Sequence, residues 1–267
     1  MASRNTLLII DPQKDFHPGG SLAIPSAGND ATKIANLIDE HAEHIDDIVV
    51  SLDTHQKLDI AHPLFWKNPK TGKYPDPMTH ISLTSVESGQ WVTTDPQWTE
   101  WGKLYVATLE ANGRFVLNIW PEHCLIDTDG HAVVDVVNTS LLFWAESRAR
   151  EVEYVLKGQN MLTEHYSVFK ADVVREDDPR TTYNTALLDR LLKAERVIVC
   201  GQALSHCVAW SCRDLLSRWP KGQEGRIVLL IDCSSPVPGF EDAANAFVEE
   251  MKNAGVTVTT SDKLAWT

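Results

Sequence analysis

Four stretches of the sequence carry side chains able to do polar chemistry. The first is DPQKDF (11–16), directly after the apolar run TLLII (6–10). A carboxylate at a buried strand end, walled by Phe16, has its pKa raised by desolvation, which suits Asp11 to general-base work near neutral pH. A carboxylate capping the following turn fits the same residues. The second is GQALSHCV (201–208), which places Cys207 where a helix begins after another apolar run. A helix N-terminus stabilises thiolate and lowers the thiol pKa. The backbone N–H groups of such a glycine-initiated turn can hold an oxyanion. A small buried apolar residue is the alternative for Cys207. Cys200, Cys212 and Cys233, in apolar strand or helix context, read that way.

The third is Asp53-Thr54-His55, with His62 further on and His123 in WPEHC (120–124). An Asp-x-His pair on an extended chain puts an oxygen and a nitrogen ligand on one side. A third histidine completes a divalent site with room for water or substrate, and such N/O ligation suits zinc, iron or manganese. Ten histidines make accidental pairs common. His41, His44, His80, His131 and His165 read as surface or turn residues. The fourth is Lys157-Gly158, after the run EYVL (153–156). A lysine there can hold both a carboxylate and a thiolate by charge. A snorkelling surface lysine is the alternative.

The elements that must position these groups are legible as an alternation. Short β-branched or aliphatic runs at 6–10, 47–52, 153–156, 196–200, 226–231 and 256–260 read as buried parallel strands. Amphipathic stretches at 31–44, 139–150, 184–194, 206–219 and 241–254 read as helices. The alternation predicts an α/β fold: an open, mostly parallel sheet of about six strands in three αβα layers. In such sheets the ligand crevice lies at the carboxyl ends of the strands, so Asp11, Asp53, Lys157 and the turn after Gly201 are expected to converge. The segment 67–116 shows no clean strand–helix unit beyond one short helix near 95–105, and reads as an irregular, tryptophan-rich insertion. Five of the nine tryptophans, Trp66, Trp91, Trp98, Trp101 and Trp120, fall in or beside it. That cluster is expected to set what the pocket accepts.

Composition bounds the function class. With 24 basic and 37 acidic residues the formal charge is −13, a poor match for nucleic acid or an anionic membrane. Five scattered cysteines in 267 residues do not read as a disulfide framework. No apolar run reaches 18 residues, and residues 1–6 lead straight into a strand without a signal-like core. These point to a reduced, cytoplasmic setting. The length permits two small domains. The motifs span positions 11 to 207 of one sheet, so a single domain over 1–267 with the 67–116 insertion is expected.

In this order, LLIIDPQKDF (7–16), DTH (53–55), WPEHC (120–124), LKG (156–158) with the MLTEHYSVF that follows, and CGQALSHCV (200–208) resemble the nicotinamidase branch of the isochorismatase-like cysteine hydrolases. The resemblance spans nearly the whole chain outside 67–116. WPEHC with Asp-x-His is its most discriminating part, separating the metal-containing type from metal-free relatives. It implies a catalytic triad at Asp11, Lys157 and Cys207, and metal ligands at Asp53, His55 and His123. His62 falls near the place of a variable further ligand or supporting residue. It also implies a cis peptide at Gln202–Ala203, oxyanion donors at Ala203 and Cys207, and stacking of the substrate ring on Phe16 and Trp120. The implied reaction is cleavage of nicotinamide to nicotinate and ammonia through a cysteine thioester, in pyridine nucleotide salvage. The implied cofactor is a divalent metal, zinc first, which also receives the pyridine nitrogen. The implied partner is a small amide, with a homo-oligomer as a further expectation.

Three features depart from the family's pattern. Leu204 stands where threonine is common, the segment between DTH and WPEHC is long, and His62 trails His55 by seven positions. Two other readings stand beside this one: the same chemistry on another amide or imide, and a non-catalytic metal-binding interaction protein of the same fold.

Overall fold

The computed structural model describes residues 5–113 and 115–266; residues 1–4, the approach to the first strand, lie outside them, as do residues 114 and 267. In chain order the strands and α-helices are β1 (Asn5–Ile10), α1 (Ala27–His41), β2 (Asp47–Asp53), β3 (Trp66–Lys67), β4 (His80–Ile81), α2 (Leu83–Glu87), β5 (Val92–Thr93), α3 (Thr99–Ala111) and β6 (Leu117–Asn118). There follow α4 (Asp135–Arg148), β7 (Glu153–Lys157), α5 (Thr185–Leu191), β8 (Arg196–Gly201), α6 (Cys207–Ser217), β9 (Ile227–Leu230), α7 (Glu241–Asn253) and β10 (Thr257–Thr259).

All six strands read from the sequence pair in one parallel sheet, in the order β10-β9-β8-β1-β2-β7. The alternating side chains of β1 explain the layering. Leu7 and Ile9 pack with Ile34, Ile38, Leu141 and Trp144 of α1 and α4 on one face. Leu8 and Ile10 pack with Val208, Leu215 and Phe247 of α6 and α7 on the other. Burial on both faces accounts for the unbroken apolar runs. The winding direction reverses at β1, which pairs with β2 on one side and β8 on the other. That switch point is where the strand ends splay and leave a crevice.

The 67–116 segment is more regular than its sequence suggests. It holds α2, α3, β4 and β5, and two short antiparallel pairs, β3 with β5 and β4 with β6, close its two ends. Tyr105, Val106 and Leu109 of α3 are fully buried in the same core as β1. The pattern is hard to read because the strands are two residues long and α3 is apolar on several sides.

Among the described residues no helix is long and apolar enough to cross a membrane.

Candidate active site

Each group that could do chemistry stands at the carboxyl end of a sheet strand. Asp11 follows β1, Asp53 ends β2, Lys157 ends β7, and Cys207 opens α6 after β8. The parallel register sets Asp53 beside Lys157 and Ile10 beside Gly201. Gly201 has φ +112°, and a Cβ there would lie 2.0 Å from the Ile10 carbonyl oxygen, so only glycine permits this approach. Gly158, at φ +74°, would set a Cβ 2.7 Å from Asp53 Oδ1. Asp11 itself sits in the left-handed region at φ +44°, a conformation sparsely used by residues with a side chain and frequent at functional sites.

The Lys157 ammonium is buried at the centre. It lies 2.8 Å from Asp11 Oδ2 and 3.1 Å from Asp53 Oδ1, and donates to Cys207 Sγ at 3.6 Å and to the His165 carbonyl at 2.9 Å. Ser51 Oγ donates to Asp11 Oδ1 at 2.6 Å. Burial alone would lower the Lys157 pKa, but Asp11 and Asp53 hold it well above the usual lysine range. Burial pushes the Asp11 carboxyl up, against the attraction of Lys157. Burial also pushes the Cys207 thiol well up; Lys157 opposes this and Asp11 and Asp53 add to it. The sequence reading placed the thiol at a pKa-lowering helix start. In the structure burial, with the charges of Asp11 and Asp53, acts in the opposite direction and disfavours the thiolate.

A second buried cluster adjoins the first through Asp53. Its Oδ2 lies 3.1 Å from His55 Nε2 and 3.6 Å from His123 Nε2. The far nitrogens of both rings are engaged, His55 Nδ1 with Asp59 Oδ2 at 3.1 Å and His123 Nδ1 with the Pro121 carbonyl at 2.8 Å. That leaves each Nε2 free to ligate, with the partner on Nδ1 setting the tautomer. His62 brings Nε2 to 3.3 Å from His123 Nδ1, and donor nitrogens of His55, His62 and His123 lie within 4.8 Å of one another. Burial would lower the His55 pKa, yet Asp53, Asp59 and Glu164 raise it well above the usual value. The cluster therefore stabilises positive charge at the point where these ligand atoms meet, and the donor set fits a divalent metal.

Phe16, Trp120, Tyr166, His206, Ala203 and Val237 wall a narrow cavity that reaches Asp53, His123 and Cys207. It offers about 20 Å³ to the centre of a water molecule. Trp120 donates to Tyr166 Oη at 2.7 Å. The His206 ring meets Phe240 at 4.6 Å and Trp120 at 5.1 Å. The Gln202–Ala203 peptide is cis. A wider, charged hollow of about 410 Å³ over Lys14, Asp15, His17, Asp129 and Asp135 includes none of the triad or metal-cluster residues.

The candidate triad, oxyanion, ring-wall and metal-ligand residues read from the sequence thus meet in one place. Several others were missed. Gln13, in the first motif, donates to the Asp53 carbonyl and accepts from the Asp53 N–H, both at 2.7 Å. Asp59 follows His55 by four residues, a signal the spacing did carry. Glu164, Tyr166 and His206 lie within quoted motifs without having been assigned roles. His165, read as a surface or turn residue, is a buried loop residue whose backbone carbonyl serves Lys157. Of the five clustered tryptophans only Trp120 lines the cavity. Trp66 and Trp101 instead donate to the Ile60 and Leu162 carbonyls at 2.7 Å, bracing loops behind the site.

No family model and no curated protein matches this chain. Solved structures do. An Acinetobacter baumanii nicotinamidase/pyrazinamidase superposes with a TM-score of 0.66 at 20% identity, covering 98% of this chain and 99% of that one. The yeast nicotinamidase Pnc1p gives 0.65 at 22%, with 96% and 99% covered. A Pyrococcus horikoshii pyrazinamidase in complex with zinc gives 0.57 at 20%, with 96% and 99% covered. The chain has the isochorismatase-like α/β fold. At these identities the likeness is one of fold, and what the site does rests on its own geometry.

Proposed function

We propose that this chain hydrolyses a small primary carboxamide, nicotinamide foremost, to the carboxylic acid and ammonia through a cysteine thioester. The observation that carries the reading is one buried ammonium touching both Asp11 and Cys207 at the end of an aromatic-walled cavity. The names of the structural neighbours, nicotinamidases and pyrazinamidases, support the substrate class.

Burial beside Asp11 and Asp53 disfavours the Cys207 thiolate, so proton transfer accompanies attack. Asp11 takes the Cys207 proton as the sulfur bonds to the amide carbon. Lys157 holds the charges of both groups during the transfer. Backbone N–H groups of Ala203 and Cys207 receive the oxyanion. Protonated Asp11 returns its proton to the departing nitrogen, the C–N bond breaks and ammonia leaves. Water then attacks the thioester with Asp11 again as base; the C–S bond breaks and the thiol is restored. Phe16 and Trp120 face the ring of the substrate. Asp53, His55 and His123, with His62 beside them, would hold the metal, for which we assign zinc, supported by the donor set and by the zinc of the Pyrococcus horikoshii protein. When bound, such an ion supplies Lewis-acid polarisation and a point of attachment for a substrate ring nitrogen.

The test is ammonia release from nicotinamide, pyrazinamide, small aliphatic amides and N-carbamoyl compounds. Wild type should favour the heteroaromatic amides, and Cys207→Ala should lose activity by about a thousandfold or more. Full activity in Cys207→Ala removes the nucleophile assignment, and preference for an aliphatic or carbamoyl substrate moves the reading to another amide.

A further inference from the structure

Glu164 lies in the loop between β7 and α5 and is 1% exposed. Its backbone is pinned from two sides: its N–H donates to Tyr105 Oη of α3 at 3.1 Å, and its carbonyl accepts from the Asp172 N–H at 2.9 Å. Its carboxylate therefore has a fixed place. Oε1 accepts the His165 N–H at 2.8 Å and stands 3.8 Å from His55 Nε2, the nitrogen left free to ligate. Oε2 is fully buried and has no hydrogen-bond partner among the described residues. A buried carboxylate oxygen without a donor is costly, and either a proton or a bound cation relieves that cost.

Three separations among these donors fit a shared ion, with Glu164 tied to Asp53 and His55. Two donors bound to one metal at about 2.0–2.2 Å, and 90° to 180° apart, lie about 2.8 to 4.4 Å from each other. The separations Asp53–His55, Asp53–His123 and His55–Glu164 are 3.1, 3.6 and 3.8 Å, all within that window. Donor atoms of Asp53, His55 and Glu164 also lie within 4.8 Å of one another. We propose that Glu164 supplies a further carboxylate oxygen to the divalent metal centre of Asp53, His55 and His123. The proposal rests on the reading of that cluster as a metal site. It gives the insertion a function, since Tyr105 of α3 helps to hold the loop that carries the ligand.

Metal binding itself provides the test, without reference to turnover. Metal-free wild type, Glu164→Gln, Glu164→Asp and Asp53→Ala are titrated with zinc against a chromophoric chelator, and with cobalt(II) while the visible d–d bands are followed. Circular dichroism checks the fold of each variant. Glu164→Gln keeps the shape and loses the charge; its zinc affinity should fall at least tenfold and its cobalt spectrum should change. Glu164→Asp retracts the oxygen by one methylene and should weaken binding in the same direction, which provides a readout if the glutamine variant does not fold. A folded Glu164 variant with wild-type affinity and an unchanged cobalt spectrum overturns the proposal while leaving the metal site standing. Wild type that takes up neither metal, or Asp53→Ala that binds as well as wild type, overturns the metal reading and this proposal with it.

Discussion

Lys157 and Asp53 end neighbouring strands in register, and their charged groups meet at 3.1 Å. Asp53 thus faces two chemistries with its two oxygens: Oδ1 toward the ammonium that serves Asp11 and Cys207, Oδ2 toward His55 and His123. One carboxylate joins the proposed nucleophile to the proposed metal cluster. Its pKa expresses this: burial would raise it, but His55 and Lys157 hold it well below the usual carboxylate range.

Asp53→Asn should therefore damage both clusters, whereas Asp11→Asn should damage only one. The asparagine at 53 is expected to lower metal affinity by tenfold or more and kcat by at least about a hundredfold. Asp11→Asn should lose kcat to a comparable extent and keep the metal. Elemental analysis beside steady-state kinetics separates the two. Equal metal content in both variants would break the proposed division of labour.

Gln13 holds Asp53 by its backbone, closing a pair of 2.7 Å hydrogen bonds on the carbonyl and the N–H, and also donates to the His131 carbonyl at 3.0 Å. Gln13→Ala removes these bonds inside a site that water does not readily reach. Each buried backbone group left unpaired costs about 1–3 kcal/mol, so the variant should lose stability by several kcal/mol in urea denaturation. Metal affinity should fall with it, because the strand end carrying the ligand is no longer fixed. A variant of native stability and affinity would mean that water replaces the amide without cost.

The acid limb of the rate profile should report Asp11. Its carboxyl is raised by burial and held back by Lys157. The base form is lost as pH falls through that raised value, so kcat/KM should decline at a pH above the ordinary aspartate value of about 3.9. Lys157→Met removes the opposing charge and should move the limb further toward neutrality, along with a fall in rate. An unmoved limb would assign the titration to another group.

How much of this was readable in advance follows from how local each signal is. Strands buried on both faces announce themselves as apolar runs, so β1, β2 and β7 to β10 were legible along with the polar residues that end them. The residues proposed as metal ligands carried a spacing signal, Asp53-x-His55, and WPEHC supplied the third. Glu164 and Gln13 were not legible as site residues, because their roles depend on where a distant strand end lies. The tryptophans misled for a related reason. A large aromatic reads the same whether it walls a cavity, as Trp120 does, or donates its indole N–H to a loop carbonyl, as Trp66 and Trp101 do. The upward pull on the Cys207 thiol was not legible, because the burial and the carboxylates that cause it come from other parts of the chain.

His206 gives a prediction on stability. Burial lowers its pKa to about 4, so it is neutral in the fold, with Nδ1 2.8 Å from Ser205 Oγ and its ring among Trp120, Tyr166 and Phe240. An unfolded histidine titrates near 6.5. Between these values the unfolded chain binds the extra proton. This contribution to stability is therefore complete above pH 6.5 and lost as pH falls toward 4. The loss assigned to His206 is on the order of 3 kcal/mol once both values are passed. His62 and His165, also lowered by burial, add losses of the same sign. His206→Phe keeps an aromatic ring without a titrating group. Its denaturation free energy should fall less between pH 7 and pH 4.5 than that of wild type. Parallel losses in the two proteins would mean that the ring takes up its proton inside the fold without cost, and that the cavity is open enough to solvate it.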